Sequence, residues 1–343
     1  MPDNLAWQVA EKSRAAQTLA PGYLMQFARR VGYRGADLPR PEALEWLFGH
    51  GLTWPDYFLR LRYAVRLRRM LLRAAGLRTG WHVLEVGFGL GDATLAAADL
   101  VGPGGHVTAV DVAPDVLDWS ILPYAVPACA FSDRTTLWPG VDVLERAFPL
   151  DTFDAVVFCF SANHLGRVNI FPQALQRCSR WCRRVAVIDR LPRTGRSSER
   201  LLLEVVALRN EVFDLAQYAR LSQVVYRSAE AHAAILDACG FTPVAQRVFQ
   251  HPADDIMARH AALGLMEGIP QAIDSLGDTS AMHEFRSRLK RLRRRAEIED
   301  CHFPDILVMT GVRQESERAN MHRTRKSRAL VRVVAARPRP PPP

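Results

Sequence analysis

Glu85 and three alternate glycines, Gly87, Gly89 and Gly91, follow an apolar run in the stretch VLEVGFGLGDAT. A glycine-rich turn after a strand lets a ligand approach the backbone closely. A dinucleotide pyrophosphate is bound by the spacing G-x-G-x-x-G, but here the third glycine comes one residue early and Asp92 stands in its place. That carboxylate, together with Glu85, opposes a phosphate electrostatically. The pattern therefore favours a ligand with a cationic amino-acid group over a dinucleotide.

Further candidate residues lie where the next strands are expected to end. Asp111 closes HVTAVDV, Asp142 follows a short apolar stretch, and Phe160 and Ser161 close FDAVVFCFS. The carboxyl ends of parallel strands form one edge of an open sheet, where ligands bind. Asp142 could bind a ligand there or cap a turn. His164 could accept a proton from an acidic carbon, hydroxyl or thiol, or it could order its loop by a hydrogen bond.

The elements that must position these residues alternate between strands and helices. Strands are predicted in HVLEVGF, HVTAVDV, TTLWPG, FDAVVFCF, RVAVIDR, TPVAQRVF and DILVMTG, and helices in DATLAAADLVG, APDVLDWSIL, FPQALQRCSRWCR and SAEAHAAILDACGF. Continuous apolar strands that alternate with helices indicate a parallel sheet covered on both faces. We therefore predict an α/β protein built on a doubly wound, mostly parallel seven-stranded sheet.

Two blocks of the chain carry a family resemblance. VLEVGFGLG followed by VTAVDV resembles motif I and the next acidic strand end of class I S-adenosylmethionine-dependent methyltransferases. The stretch VDVLERAFPLDTFDAVVFCFSANHLG resembles the block of the ubiquinone/menaquinone-biosynthesis-type methyltransferases that runs from an acidic residue through Phe-Asp-x-Val to His-Leu. The resemblance covers roughly residues 60–250 and the last strand. The sequence departs from the family pattern in four places. Phe88 replaces the usual small residue or cysteine, and Val141 replaces a glycine. Pro-Gly-Gly is absent before the fifth strand, and residues 251–303 form a long insertion.

The resemblance implies a site for S-adenosyl-L-methionine and a Rossmann-like methyltransferase fold. Glu85 would help to hold the ammonium group of the cofactor, and Asp111 would accept hydrogen bonds from the ribose hydroxyls, as a carboxylate can. Asp142 would bind the adenine with the backbone amide of Val143. The implied cofactor-binding residues are Glu85, Gly87, Phe88, Gly89, Gly91, Asp111, Val112, Asp142, Val143, Phe160 and Ser161. No metal site is expected.

The domain organisation is predicted from the same sequence patterns and family resemblance. We expect helical segments over the open side of the cofactor to close a largely apolar pocket and exclude water. The predicted parts are a helical N-terminal lid (1–75), a cofactor-binding core (76–250) with a helical insertion at about 195–227, a second helical insertion (251–303), the last strand (304–313) and a basic, proline-rich, disordered tail (314–343).

The implied activity is transfer of the sulfonium methyl group to carbon or oxygen of a small or medium-sized acceptor. Methyl transfer is an in-line displacement, so positioning alone can supply much of the catalysis. His164 is the candidate catalytic residue. The segment SANHL lacks the prolines and the aromatic residue expected after strand four of an enzyme that methylates base amino groups.

Two alternatives stay open at this point. An RNA- or protein-modifying methyltransferase is favoured by the basic helix around 286–295 and by the tail, because basic surfaces attract phosphates. The other alternative is a cofactor-binding protein without catalytic activity.

Charge and cysteine content add limits. The net charge is +9, but eight arginines and one lysine against two glutamates from residue 313 onward carry +7 of it. The rest of the chain is nearly neutral, so nucleic acid is expected to bind only through the basic C-terminal segments. The six cysteines form no C-x-x-C pair, which favours reduced thiols in a cytoplasmic protein. No run of about 18 apolar residues predicts a membrane span. The oligomeric state is not indicated.

Overall fold

A computed structural model describes most of the chain between residues 54 and 313. The described residues are 54–89, 91–114, 116, 134–150, 152–165, 170–192, 197–217, 223–250, 258–259, 262–263, 265–266, 268–299 and 301–313. Residues 1–53 of the predicted N-terminal lid, most of the predicted helix APDVLDWSIL and the predicted tail lie outside them.

Seven strands form a single sheet. They are β1 (His82–Val86), β2 (His106–Asp111), β3 (Thr135–Pro139), β4 (Phe153–Cys159), β5 (Cys182–Leu191), β6 (Phe241–Phe249) and β7 (Asp305–Arg313). Their order is β3-β2-β1-β4-β5-β7-β6, and β7 runs antiparallel to both of its neighbours while the other pairs are parallel. This arrangement confirms the predicted mostly parallel seven-stranded sheet. The order reverses at β1 and β4, so the ends of these strands mark the topological switch point where α/β sheets bind ligands.

Helices cover both faces of this sheet, which explains the continuous apolar strands. The described helices are α1 (Trp54–Ala74), α2 (Asp92–Val101), α3 (Ile170–Cys178), α4 (Ser197–Leu215), α5 (Ala229–Ala238), α6 (Ile269–Asp274) and α7 (Ser280–Ile298). Successive strand residues point to opposite faces. Val83 packs in the cluster of α1 and α2, whereas Leu84 packs in the cluster of α3 and α5. Both residues are fully buried.

Three helices form a separate apolar cluster beside the sheet. Helices α4, α6 and α7 bury Leu208, Ile273 and Leu289 against one another, together with Phe303 just before β7. Hereafter α4, α6 and α7 are called the helical cap. The cap joins the two helical insertions that the sequence predicted separately, because their apolar faces are complementary. No helix in the described part of the chain is long and apolar enough to cross a membrane.

One predicted helix is too long. The sequence predicted a helix through FPQALQRCSRWCR, but α3 ends at Cys178 and Cys182 begins β5. Two interactions end the helix: Cys182 pairs with Phe153 of β4, and the Trp181 ring packs against Phe148 with centroids 4.9 Å apart. Cys178 and Cys182 therefore do not share a helical face.

The start of α5 offers a stability test. Ser228 is the N-cap of this helix, and its hydroxyl accepts a hydrogen bond from the Ala231 amide (3.2 Å). Ser228→Ala is expected to lower the free energy of unfolding by about 1 kcal/mol, measured by urea denaturation. Ser179→Ala is the control, because this exposed hydroxyl donates to a helix carbonyl and caps no amide. Equal, small effects of the two substitutions would contradict the capping role.

Candidate functional site

The loop after β1 is a tight turn in left-handed backbone. Gly87, Gly89 and Gly91 have φ angles of 76°, 46° and 86°, respectively. The Gly87 amide donates to the Val110 carbonyl of β2 (2.8 Å), and Gly91 caps the start of α2. At Gly87 a side chain would also collide, because a Cβ there would lie 2.7 Å from Ser161 Cβ. The loop therefore presents backbone to a ligand, while Phe88 turns into the protein and is only 2% exposed.

Asp111 lies beside this loop. Its Oδ2 accepts a hydrogen bond from the Gly89 amide (2.8 Å), and its Oδ1 accepts one from the Ala113 amide (3.0 Å). The two amides orient the carboxylate at the end of β2. The next residue, Val112, is exposed. This arrangement can receive hydroxyl donors of a ligand that lies along the loop.

Glu85 is a buried acid with one unused oxygen. Its Oε2 accepts a hydrogen bond from the Thr94 hydroxyl (2.7 Å), whereas its Oε1 has no hydrogen-bond partner among the described residues. Burial raises the Glu85 pKa to about 8, and the negative charges of Asp92 and Asp111 add to this rise, against the lowering effects of Thr94 and Arg68. A cation placed at Oε1 would restore the ionised form. Glu85 is therefore the strongest candidate for a ligand ammonium group.

The third acid, Asp142, follows β3. Its Oδ1 accepts a hydrogen bond from the Leu144 amide (2.8 Å), so one carboxylate oxygen caps a turn. The Val141 amide donates to the Asp111 carbonyl (2.8 Å), which brings this turn alongside the end of β2. The Val143 side chain is buried in the core. Asp142 thus lies near the end of β2, but one of its two carboxylate oxygens already accepts a hydrogen bond within its own turn.

The end of β4 is pressed against the glycine loop. Ser161 donates a hydrogen bond to the Val86 carbonyl (2.5 Å), and Phe160 has a positive φ of 57°, which is uncommon for a residue other than glycine. The Phe160 amide donates to the Ile188 carbonyl of β5 (2.7 Å). Strained residues of this kind cluster at functional sites. Their position is the crevice at the switch point of the sheet.

Arg68 of α1 enters the same crevice, and it is not among the site residues predicted from the sequence. Its Nε lies 2.9 Å from Asp92 Oδ2, and its guanidinium carbon lies 4.0 Å from the Phe160 ring centroid. One feature of the sequence could have indicated Arg68: this charged residue lies on the apolar face of α1, beside Leu67 and Leu71, which are both buried.

His164 belongs to a second group of residues, beside the helical cap. Its side chain is exposed, and its amide donates to the Ser161 carbonyl (3.0 Å). Desolvation of the imidazole by the surrounding protein lowers the His164 pKa to about 4, and the positive charges of Arg190 and Arg209 contribute to this lowering. His164 is therefore uncharged at neutral pH. It can accept a hydrogen bond there, but it is a weak base.

The loop that carries His164 is tied to the segment after α4. The Asn163 carbonyl accepts a hydrogen bond from the Val225 amide (2.8 Å), and Arg227 Nη1 donates to the Ala162 carbonyl (2.9 Å). The same segment is held to α4, because the Asn210 side chain bonds both the amide and the carbonyl of Val224. Asn163 is buried, and its Oδ1 has no partner among the described residues. These bonds connect the sheet edge to the cap.

A buried Asp189–His232 pair lies behind this loop and carried no sequence signal. Asp189 Oδ1 accepts a hydrogen bond from the Arg190 amide (2.8 Å), and its Oδ2 lies 3.6 Å from His232 Nε2. Burial raises the Asp189 pKa to about 7 and lowers the His232 pKa to about 4. His232 is therefore uncharged at neutral pH, whereas Asp189 ionises near neutral pH. In the described residues, no group of three or more His, Cys, Asp or Glu side chains could hold a metal ion.

Two curated proteins are similar to parts of the chain, although no protein-family profile matches it. A demethylmenaquinone methyltransferase from Symbiobacterium thermophilum is 33% identical over 91 residues, which cover 26% of this chain and 35% of that protein. A ubiquinone/menaquinone biosynthesis C-methyltransferase from Cellvibrio japonicus is 27% identical over 126 residues, which cover 36% of this chain and 48% of that protein. The chain thus matches less than half of the length of either relative.

Among solved structures, the fold is similar to a cyclopropane-fatty-acyl-phospholipid synthase-like protein from Lactobacillus casei. The TM-score is 0.63 at 18% identity, and the match covers 83% of this chain and 99% of that chain. At this identity the likeness shows a shared fold. In partial sequence and in fold, the chain resembles class I methyltransferases, including the ubiquinone/menaquinone-biosynthesis type.

Proposed function

We propose that the protein is an S-adenosyl-L-methionine-dependent methyltransferase that methylates carbon or oxygen of a small or medium-sized molecule. The observation that carries this proposal is that Oε1 of buried Glu85 has no hydrogen-bond partner among the described residues. Glu85 precedes the glycine loop, and the Gly89 amide of that loop donates to the Asp111 carboxylate. A buried carboxylate oxygen without a hydrogen-bond partner is unfavourable unless a ligand cation binds to it. The relatives named as methyltransferases support the same activity.

The residues of the crevice fit this cofactor part by part. Glu85 would bind the ammonium group, and Arg68, which lies over the Phe160 ring, would bind the carboxylate of the same methionyl moiety. Asp111 would accept hydrogen bonds from the ribose hydroxyls. The remaining contacts are assigned to the backbone of Gly87, Phe88, Gly89 and Gly91, to Val112, to Asp142 and the amide of Val143 at the adenine, and to Phe160 and Ser161 near the sulfonium.

The chain's own contribution to catalysis is positioning. The cofactor, when bound, supplies an electrophilic methyl group on a sulfonium. Phe160 is fixed by the hydrogen bond of its amide to Ile188 and by the Arg68 guanidinium over its ring, so it would form a rigid wall beside the reacting groups. Such fixed geometry lowers the entropic part of the barrier. His164 is unprotonated at neutral pH and can accept a hydrogen bond from an acceptor hydroxyl, but its low pKa favours acceptors that ionise readily.

Calorimetric binding of S-adenosylmethionine and S-adenosylhomocysteine tests the proposal. Wild-type protein is expected to bind both at micromolar concentration, and Asp111→Ala is expected to weaken binding at least about tenfold, because it removes charge-assisted hydrogen bonds to the ribose. Folding of both proteins is checked by thermal unfolding. A folded wild-type protein that binds neither compound would overturn the assignment.

The basic helix α7 supports the alternative of an RNA-modifying enzyme less strongly than its sequence suggested. Three basic residues of α7 are paired with acids: Arg286 with Asp274, Arg288 with Glu211, and Arg295 with Glu204. These arginines hold the cap together, so they are less available for phosphate. The exposed residues of this helix that would still favour a polyanion are Lys290, Arg291, Arg293 and Arg294.

A further inference from the structure

Thr94 joins the far end of the glycine loop to Glu85. It lies in the first turn of α2, and its hydroxyl donates a hydrogen bond to Glu85 Oε2 (2.7 Å), nine residues earlier in the chain. Both side chains are buried. Because Glu85 precedes the loop and Thr94 follows it, this hydrogen bond connects the two ends of the loop. Thr94 is not among the site residues predicted from the sequence.

Helix α2 gives this hydroxyl a fixed position. A β-branched side chain in a helix has few χ1 rotamers. The neighbouring residues Ala93 and Ala96 pack in the cluster of α1 and α2, so the helix itself is held against the protein. Apart from Asp92 and Thr94, the buried residues of α2 are apolar. These surroundings make no use of a hydroxyl, whereas the Glu85 carboxylate does.

A fixed donor at Oε2 determines which oxygen of Glu85 is left for a ligand. The last side-chain torsion of a glutamate has a broad range, so a carboxylate without a fixed partner can turn. Here Thr94 occupies Oε2, and Oε1 has no hydrogen-bond partner among the described residues. Oε1 is therefore the oxygen that a cation would meet.

The same hydrogen bond favours the ionised form of Glu85. Burial has the largest effect and raises the Glu85 pKa, and the hydrogen bond from Thr94 is the largest of the influences that lower it. The charged groups that act on Glu85 from the elements around it are Asp92 of α2, Asp111 of β2 and Arg68 of α1. The two acids raise the pKa, and the arginine lowers it. Cys159 of β4 adds no charge, because burial raises its thiol pKa well above the usual range.

We propose that Thr94 is a positioning residue of the cofactor site, whose hydroxyl holds Glu85 Oε2 so that Oε1 meets the ammonium group of the ligand. This inference rests on the proposed function and adds a residue to its site. A hydroxyl can accept from a carboxylic acid and donate to a carboxylate, so Thr94 can bond Glu85 before and after its proton leaves. The bond to the carboxylate is the stronger of the two, so it assists the ionisation that binding of the ammonium group requires.

The test measures calorimetric binding of S-adenosylhomocysteine, which keeps the amino-acid end of the cofactor, to wild type, Thr94→Val, Thr94→Ala, Thr94→Ser and Thr108→Val. Thr94→Val removes the hydroxyl with little change of shape, and Thr94→Ala removes it without adding an apolar group beside the carboxylate. Thr108→Val is the matched control, because Thr108 is also a buried threonine. Val107 packs in the cluster of Val83, whose face of the sheet Glu85 shares, so Thr108 lies on the opposite face. Thermal unfolding reports whether each variant is folded.

Thr94→Val and Thr94→Ala are expected to bind about tenfold more weakly than wild type at about pH 6.5. Without the hydroxyl, Glu85 keeps its proton to higher pH, so the ratio of wild-type to variant affinity should fall at least about twofold by about pH 8.5. Ionisation of the ligand itself cancels in this ratio. Thr94→Ser should recover most of the affinity, and Thr108→Val should bind as wild type does. Wild-type affinity in folded Thr94→Val, the same ratio at every pH, or a Thr94→Ser protein no better than Thr94→Val would overturn the inference.

Stability of the free proteins gives a second measurement that needs no cofactor. Wild type loses the contribution of Glu85 as the pH rises through the folded-state pKa of about 8. In Thr94→Val this pKa is higher still, so the loss of stability should continue to higher pH than in wild type. Denaturant unfolding between about pH 7 and about pH 9.5 measures both curves. Curves of the same shape would show that Thr94 does not act on the ionisation of Glu85.

The proposed function fails separately. If wild type binds no S-adenosylhomocysteine but the stability curves differ as expected, the methyltransferase assignment is wrong, and Thr94 does not position Glu85 for this cofactor. If S-adenosylhomocysteine binds to wild type and to Thr94→Val with a ratio that does not change with pH, the methyltransferase assignment stands and only the role of Thr94 is wrong.

Discussion

Gly87→Ala is expected to abolish detectable binding of S-adenosylmethionine and to lower the free energy of unfolding by about 2–4 kcal/mol. Two costs add. Gly87 has a φ of 76°, which strains any residue with a Cβ, and the new Cβ would lie 2.7 Å from Ser161 Cβ. Ser161 cannot move away easily, because its hydroxyl is bonded to the Val86 carbonyl (2.5 Å) and its main chain continues β4. The loop must therefore shift, and the backbone that faces the ligand shifts with it.

The two costs can be separated with controls from the same chain. Gly76→Ala has a similar φ of 84° and no atom within 4 Å of the new Cβ, so it should show the backbone strain alone. Adding Ser161→Gly to Gly87→Ala removes the colliding atom and should recover part of the stability. Denaturant unfolding gives the free energies, and calorimetry gives the binding. A Gly87→Ala protein no less stable than Gly76→Ala would contradict the close contact between the loop and β4.

Glu85→Gln is expected to weaken S-adenosylmethionine binding by about a hundredfold at pH 7.5, because truncating one partner of a buried charge pair costs several kcal/mol. The wild-type affinity should also depend on pH. Glu85 is mostly protonated in the free protein below its pKa of about 8. The cofactor ammonium favours the carboxylate, so binding releases a proton from Glu85. Affinity should therefore rise between about pH 6 and pH 7.5, with roughly one proton released per cofactor bound.

Calorimetry in buffers of different ionisation enthalpy measures this proton release. Glu85→Gln cannot ionise, so it should bind with no pH slope in this window. Asp154→Asn is the matched control, because this exposed acid bonds the His82 amide at the opposite end of the sheet and should leave both affinity and slope unchanged. A wild-type affinity independent of pH, with no proton released, would show that Glu85 does not meet the ammonium group.

The raised pKa of Glu85 also determines how the stability of the free protein changes with pH. Because the folded-state pKa of Glu85 is raised above its unfolded value of about 4.5, its contribution to stability is fully present below that value. The contribution is lost as the pH rises through about 8. The free protein should therefore lose stability across this range by more than the Glu85→Gln variant does.

The sequence alone determined the sheet and the main features of the crevice. Alternating apolar strands and helices predicted the seven-stranded sheet, because a strand covered on both faces must be apolar at every position. The neighbourhood of Glu85, the glycine loop and Asp111 could also be predicted, since adjacent parallel strands end at the same edge. These inferences use short-range patterns, and short-range patterns are what a sequence displays directly.

Only the tertiary structure decided which distant residues meet. Arg68 comes from a helix before the sheet, and its guanidinium lies over the Phe160 ring at the end of β4. The pairing of Asp189 with His232 spans two elements that share no sequence pattern. The helical cap joins segments far apart in the chain. Such contacts depend on how whole apolar faces pack, and no local spacing encodes that packing. The residues that distant elements bring to the crevice can therefore be identified only in the folded protein.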